Sequence, residues 1–189
     1  MFFQKKKMFD FGYISSSPFG DSIFLNYGKT QDNGLMMVFQ SRSGTEHNEV
    51  GVIETELVTH SGKRQPCFAS ETLQDFRESL SCEEWKSLDV ICIDEGQFFQ
   101  DLLPFCTNAA DHDKKRIVVA GLSGDFLRSP FGQILDLIPH ADSIKLLKAR
   151  CEICGKEATF TKRTVCVQDQ ELIGGADMYR PVCREHYHS

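Results

Sequence analysis

No run of residues approaches the roughly 20 consecutive apolar positions that a membrane-spanning helix needs. The stretch that begins with Lys5, Lys6 and Lys7 is interrupted by Asp10, residues 15–18 (S-S-S-P) and Asp21 before any apolar segment develops. That pattern makes a poor signal peptide. A basic excess is missing too, since 21 Lys and Arg face 27 Asp and Glu for a net charge of -6. Proteins that hold a phosphate backbone usually carry the opposite balance, so the chain is expected to bind no nucleic acid and no membrane. A single nucleotide held by a few donors and a metal stays compatible. Eight cysteines in 189 residues make no disulfide scaffold, and Cys67, Cys82, Cys92, Cys106 and Cys166 are scattered without pattern. They read as reduced thiols of a cytoplasmic protein.

What is present is the composition of a globular chain, 41% hydrophobic and 25% charged, long enough for one domain with a small appendage. Its organising stretch is residues 90–99, V-I-C-I-D-E-G-Q-F-F. A short β-branched run ending in two acids and a glycine predicts a buried parallel strand that emerges at its carboxyl end, where open α/β sheets place ligands. Asp94 then suits a metal, and Glu95, on the other side of the backbone, suits a base acting on a hydroxyl. The plainer alternative is a solvated turn after a core strand.

Residues 1–33 carry Phe2, Phe3, Phe9, Phe11, Phe19 and Phe24 without period and predict a loosely ordered arm. Gly28-Lys29-Thr30 has the closing letters of a phosphate-binding loop, but Ile23 stands where the leading glycine belongs, and a turn follows rather than a helix. Residues 35–39 predict a strand, and His60 in a turn is either a phosphate or sugar ligand or a backbone-bonded side chain. Residues 71–80 predict a helix, residues 82–85 lead into the central strand, and Phe98 to Cys106 mark a further helix. Residues 116–122 (R-I-V-V-A-G-L) predict a second buried strand, so strand, helix, strand gives a parallel α/β unit. The loop 123–132 (S-G-D-F-L-R-S-P-F-G) follows it. Its Phe126 and Phe131 either stack on a flat base or pack the loop onto the body. Pro139 separates a helix from a strand within residues 133–147.

From Cys151 the character changes. Cys151-x-x-Cys154-Gly155 is a metal knuckle, and Cys183-x-x-His186 repeats its spacing with an imidazole in the last place. Three sulfurs and one nitrogen predict a closed, structural Zn2+ site, with His188 as a spare ligand. The segment 165–179 between the pairs is expected to form a lid with pinned ends, and Gly174-Gly175 lets its backbone approach a ligand.

I-D-E-G-Q-F-F, G-D-F-L-R-S-P-F-G, C-x-x-C-G, F-T-K-R, I-G-G-A-D-M-Y and C-R-x-H, in this order over about residues 88–188, resemble the thymidine kinases of the cellular, zinc-containing type. The resemblance implies an α/β fold with a RecA-like, P-loop-type parallel sheet over 35–148, after an atypical arm at 1–34. A zinc-ribbon and lasso domain over 149–189 would follow. It implies transfer of the γ-phosphoryl of ATP to the 5′-hydroxyl of thymidine, with Mg2+, in a homotetramer. Matched by motif, Glu95 is the general base, and Asp94, Gly96 and Gln97 belong to the nucleotide and metal side. Phe98, Leu122, Phe126 and Phe131 surround the thymine. Thr161, Gln170, Glu171, Leu172, Ile173, Gly174 and Tyr179 are lasso and nearby contacts.

The family opens with a strand, a G-P-M-F-x-G-K-[ST] loop and a basic helix, none of which can be read in residues 1–34, and its Asp-x-Arg has at best a partial substitute in Ser41-Arg42-Ser43. An alternative is therefore a catalytically impaired relative that binds nucleoside or assembles with relatives, and a zinc-ribbon nucleic-acid binder is a third reading. A start that is not the natural one is a further alternative.

Overall fold

Runs of β-branched and apolar residues form the strands on which the rest is laid. The computed structural model describes residues 64–164 and 178–189, less the side chains of 64–66, and the backbone of three further strands. Those three are β1 (Ser22–Tyr27), β2 (Leu35–Ser41) and β3 (Ile53–Val58). With β4 (Arg64–Ser70), β5 (Leu88–Asp94), β6 (Arg116–Leu122) and β7 (Ser143–Leu147) they make, among the described residues, a seven-stranded sheet ordered β3-β4-β2-β5-β6-β1-β7. β4, β2, β5 and β6 run parallel, β3 is antiparallel to β4, and β1 is antiparallel to both its neighbours. The α/β class is as expected, but the sheet is mixed rather than wholly parallel.

The expectation of a loosely ordered arm is corrected at residues 22–27. The strand pairs on both sides, with β6 and β7, so its place comes from partners far along the chain rather than from a local period. Its register decides what it can do. Ser22 lies opposite Leu122, the last residue of β6, and Tyr27 opposite Ile117 near its start. β1 therefore ends level with the start of β6, at the edge of the sheet away from Asp94. Gly28-Lys29-Thr30 itself, His60, Arg42 and Ser43 lie outside the described residues.

Three helices cover one face of the sheet: α1 (Leu73–Ser79), α2 (Cys82–Ser87) and α3 (Leu102–Asp111). Leu73, Phe76, Trp85, Phe105 and Cys106 pack there against Ile91 and Ile93 of β5 and Ile117 and Val119 of β6, the alternate residues that share a face. Each helix is short, and each start is fixed by side chains. Asp101 accepts from the N–H groups of Leu73 (3.1 Å) and Gln74 (2.8 Å), Ser81 and Glu84 form a capping box on α2, and Gln133 Oε1 accepts from Leu103 N (2.8 Å). The expected helix from Phe98 begins later, because residues 96–98 form a 3-10 turn first. The expected helix after Gly132 is absent: turns lead into a 3-10 segment at Ile138–His140, since Pro139 brings no amide to continue an α-helix.

Lys115 joins the helical layer to the sheet. It is 6% exposed, and its Nζ donates to the carbonyls of Trp85 (2.7 Å), Leu88 (2.6 Å) and Lys86 (3.4 Å). Burial pulls its ammonium below the ordinary lysine value, while Asp113 and Asp89 act the other way. Lys115→Met keeps the stem but orphans these carbonyls, so we expect it to cost about 2–4 kcal/mol in denaturant melts. A loss under about 0.5 kcal/mol would show that the carbonyls are met by water instead.

The last part of the chain is small. β8 (Ala149–Arg150) pairs with β9 (Glu157–Ala158), β10 (Phe160–Arg163) pairs with β11 (Tyr179–Val182), and α4 (Arg184–Tyr187) follows. Among the described residues its buried cluster is Cys151, Ala158, Val182 and Cys183, with Ala149, Phe160 and Tyr187 packed on them. A small unit of this kind gains from a staple. No helix among the described residues is long and apolar enough to cross a membrane.

Candidate active site

β5 delivers Asp94 to the sheet edge, where it is 3% exposed. One carboxylate oxygen, Oδ1, accepts from Glu95 N at 3.0 Å, while the other, Oδ2, is buried with no hydrogen-bond partner among the described residues. Burial, reinforced by the neighbouring Glu95 carboxylate, holds Asp94 well above the usual carboxylate range, against the pull of that N–H. The next residue, Glu95, has φ 51°, in the left-handed region, and leads into the turn that follows.

Gln97 fixes where the Glu95 side chain rests. Its Nε2 donates to Glu95 Oε2 at 2.7 Å, and its Oε1 accepts from Leu122 N at 3.0 Å. At 1% exposure this amide ties the ends of β5 and β6 together. Two glycines make room for it. A Cβ on Gly121 would lie 2.8 Å from Gln97 Oε1, and one on Gly132, whose φ is +55°, would lie 2.1 Å from Gln97 O. The buried Gly96 starts the 3-10 turn to which Gln97 and Phe98 belong.

The loop 123–132 returns over this edge. Asp125 Oδ1 accepts from Leu127 N and Ser129 N, both at 2.8 Å, which folds residues 125–129 on themselves. Phe131 is buried, edge-on to Phe98 with ring centres 5.4 Å apart. Phe126, half-buried, faces the other way: Arg163 of β10 lies over its ring at 3.6 Å, and Tyr187 donates its hydroxyl to Phe126 O at 2.7 Å. Arg163 also donates to the Tyr179 hydroxyl at 2.5 Å, and Arg128 of the loop lies 4.5 Å from the Tyr187 ring centre. Thr161 is buried in β10, opposite Pro181. Gln170, Glu171, Leu172, Ile173 and Gly174 lie outside the described residues.

Cys151, Cys154, Cys183 and His186 bring their donor atoms within 4.8 Å of one another. Cys183 Sγ and Cys151 Sγ are 3.3 and 3.5 Å from His186 Nδ1, and Cys154 Sγ is 3.8 Å from Cys183 Sγ. The knuckle turns at Gly155, with φ +72°, where its N–H donates to Cys151 O. Burial pushes the Cys151 thiol up, but backbone N–H groups of Cys183, Cys154 and Ile153 outweigh it and bring it to about 6, toward the thiolate a metal binds.

The thymidine kinase family model matches residues 36–187. The chain belongs to the thymidine kinase family. A thymidine kinase of Oryza sativa is 47% identical over 169 residues, covering 85% of this chain and 62% of that protein. Thymidine kinase a of Arabidopsis thaliana is 54% identical over 131 residues, 69% of this chain and 55% of that one. The variola virus thymidine kinase is 42% identical over 133 residues, 70% of this chain and 72% of the viral protein. The chain thus spans 62% and 55% of the length of these two plant relatives.

Against the expectations for this family, the structure brings Glu95, Gln97 and Leu122 into one hydrogen-bonded row and sets Phe98 against Phe131. It brings Phe126 and Tyr179 both into contact with Arg163. Asp125 and Arg163 were not singled out from sequence. An aspartate opening a Gly-rich loop was a usable signal for the first, whereas Arg163 acquires its place only from contacts 16 and 37 residues away in the chain.

Proposed function

We propose that this protein is an ATP-dependent thymidine kinase, placing the γ-phosphoryl of ATP on the 5′-hydroxyl of thymidine. The observation that carries this is the row from Glu95 through Gln97 to Leu122 beside the aromatic loop, in a chain of this family. Glu95 takes the proton of the 5′-hydroxyl, and Gln97 keeps its carboxylate from swinging. Phe98, Leu122, Phe126 and Phe131 surround the thymine, with Thr161 and Tyr179 nearby. Residues 170–174 contribute lasso contacts.

Asp94 fits Mg2+, which would neutralise phosphate charge, because its buried Oδ2 has no partner among the described residues and burial disfavours its charge. The four Cys and His donors fit Zn2+: bonds of about 2.3 Å in a tetrahedron put sulfurs about 3.8 Å apart. With four protein ligands its role is structural. A RecA-like sheet, a division near residue 148, a homotetramer and a cytoplasmic location complete the reading by family resemblance.

A second reading has its own support. β1 runs against β6, so the strand that precedes Gly28-Lys29-Thr30 leads away from Asp94. With no recognisable phosphate-binding loop in the sequence, the chain would bind nucleoside without efficient transfer. One experiment separates the two: incubate the protein with Mg-ATP and thymidine, follow thymidine monophosphate, and measure thymidine binding alongside. Product selects the kinase, binding without product the impaired relative, and neither rejects both.

The metal assignment has its own check. Structural zinc sites contribute roughly 10–16 kcal/mol through four bonds, so Cys151→Ser should weaken zinc by about two orders of magnitude or more in a chelator titration. Unchanged affinity would remove Cys151 from the site.

A further inference from the structure

We propose that Arg163 is a positioning residue for nucleoside recognition, acting through Phe126 and Tyr179. The inference rests on the reading of this edge as a nucleoside pocket. One guanidinium meets two aromatic side chains that belong to different segments. It lies 3.6 Å from the centre of the Phe126 ring on the loop 123–132, and 5.0 Å from that of Tyr179 on β11, while its Nη2 donates to the Tyr179 hydroxyl. A plane is needed for the first contact and a directed N–H for the second, and lysine offers only a point charge on a flexible stem.

The Arg163 guanidinium lies over the Phe126 ring and so fixes the plane that a flat base would meet. Because Tyr187 holds the Phe126 carbonyl, the ring is located from two directions, and both anchors come from the unit that the Cys and His cluster organises. Arg128 returns the contact by lying over Tyr187, so each side gives an arginine to an aromatic ring of the other. The preceding residue on β10 has a different task. Lys162 Nζ donates to His186 O at 3.3 Å, on the metal side. Alternation along the strand thus sends one basic residue to the knuckle and the next to the pocket wall.

The test is thymidine affinity by calorimetry on the full zinc-loaded chain, for wild type, Arg163→Met, Arg163→Lys, Phe126→Leu and the Phe126→Leu/Arg163→Met double variant. We expect both Arg163 variants to bind thymidine about tenfold more weakly, with zinc content and ATP affinity unchanged. We also expect Phe126→Leu to cost less in the Arg163→Met background than alone. Wild-type affinity in Arg163→Met, full rescue by Arg163→Lys, strictly additive effects, or zinc loss in both Arg163 variants would each overturn the proposal. If the wild-type chain itself binds no thymidine, the nucleoside reading falls and takes this inference with it. Binding by wild type with no effect of Arg163 removes the inference alone.

Discussion

Glu95→Gln is expected to lower the rate of thymidine phosphorylation by roughly 10²–10⁴-fold, the range spanned by a positioned general base. The variant is a clean one because of Gln97. That amide donates its Nε2 to Glu95 Oε2, and a glutamine at position 95 still presents an oxygen to it, so the row to Leu122 survives. What disappears is the ability to accept a proton. Thymidine binding should therefore stay within about twofold while kcat falls, the signature of an interaction used only as the reaction proceeds. Steady-state kinetics with a parallel binding isotherm would decide it. An unchanged kcat would remove Glu95 from the base role, and a large loss of thymidine affinity would make it a substrate ligand instead.

Local patterns reveal this chain well where local physics decides. Residues 90–94 and 116–122 are β-branched runs between polar ends, and they are strands at those positions because such a run buries well on both faces. The two knuckles are readable because a metal imposes a spacing, and their four donors do converge. Where distant contacts decide, sequence falls silent. Residues 22–27 gave no period, and their place between β6 and β7, with its reversed direction, is set by pairing with strands about a hundred residues on. The helix Cys82–Ser87 has a single buried residue, Trp85, so its capping box was the only signal it carried. The same holds at the site edge. The Asp94-Glu95 pair is visible as two acids after a strand, yet the amide bridge of Gln97 depends on Leu122, 25 residues away, and on two glycines that leave it room. The groove of about 420 Å³ lined by Arg77, Trp85, Phe105 and Asp113 lies among the helices and had no counterpart in the sequence reading.

The opposite sign of effect on stability is expected at Asp94. Its folded carboxyl titrates well above the unfolded one, so the folded protein holds this proton more tightly than the unfolded chain does. The stability this contributes is complete below the unfolded value near pH 4 and is lost as pH rises through the raised folded value. Above the raised folded value wild type therefore carries the cost of a buried charge beside Glu95, with one oxygen that has no partner among the described residues. Asp94→Asn keeps an oxygen for Glu95 N–H and removes the charge, so it should be more stable there by about 1–3 kcal/mol. On a chain of this size that is a rise in Tm of several degrees. The advantage should shrink toward pH 4, where wild type is protonated. Millimolar Mg2+ should raise the Tm of wild type and leave that of Asp94→Asn unmoved, because a cation at Oδ2 supplies the missing partner only where the carboxylate exists. Turnover should fall by about 10²-fold or more in the same variant. Greater stability together with lost activity is what a carboxylate kept for a cation predicts. A carboxylate kept for folding predicts the reverse, and a lower Tm for Asp94→Asn at pH 8, or an equal Mg2+ effect on both proteins, would establish that instead.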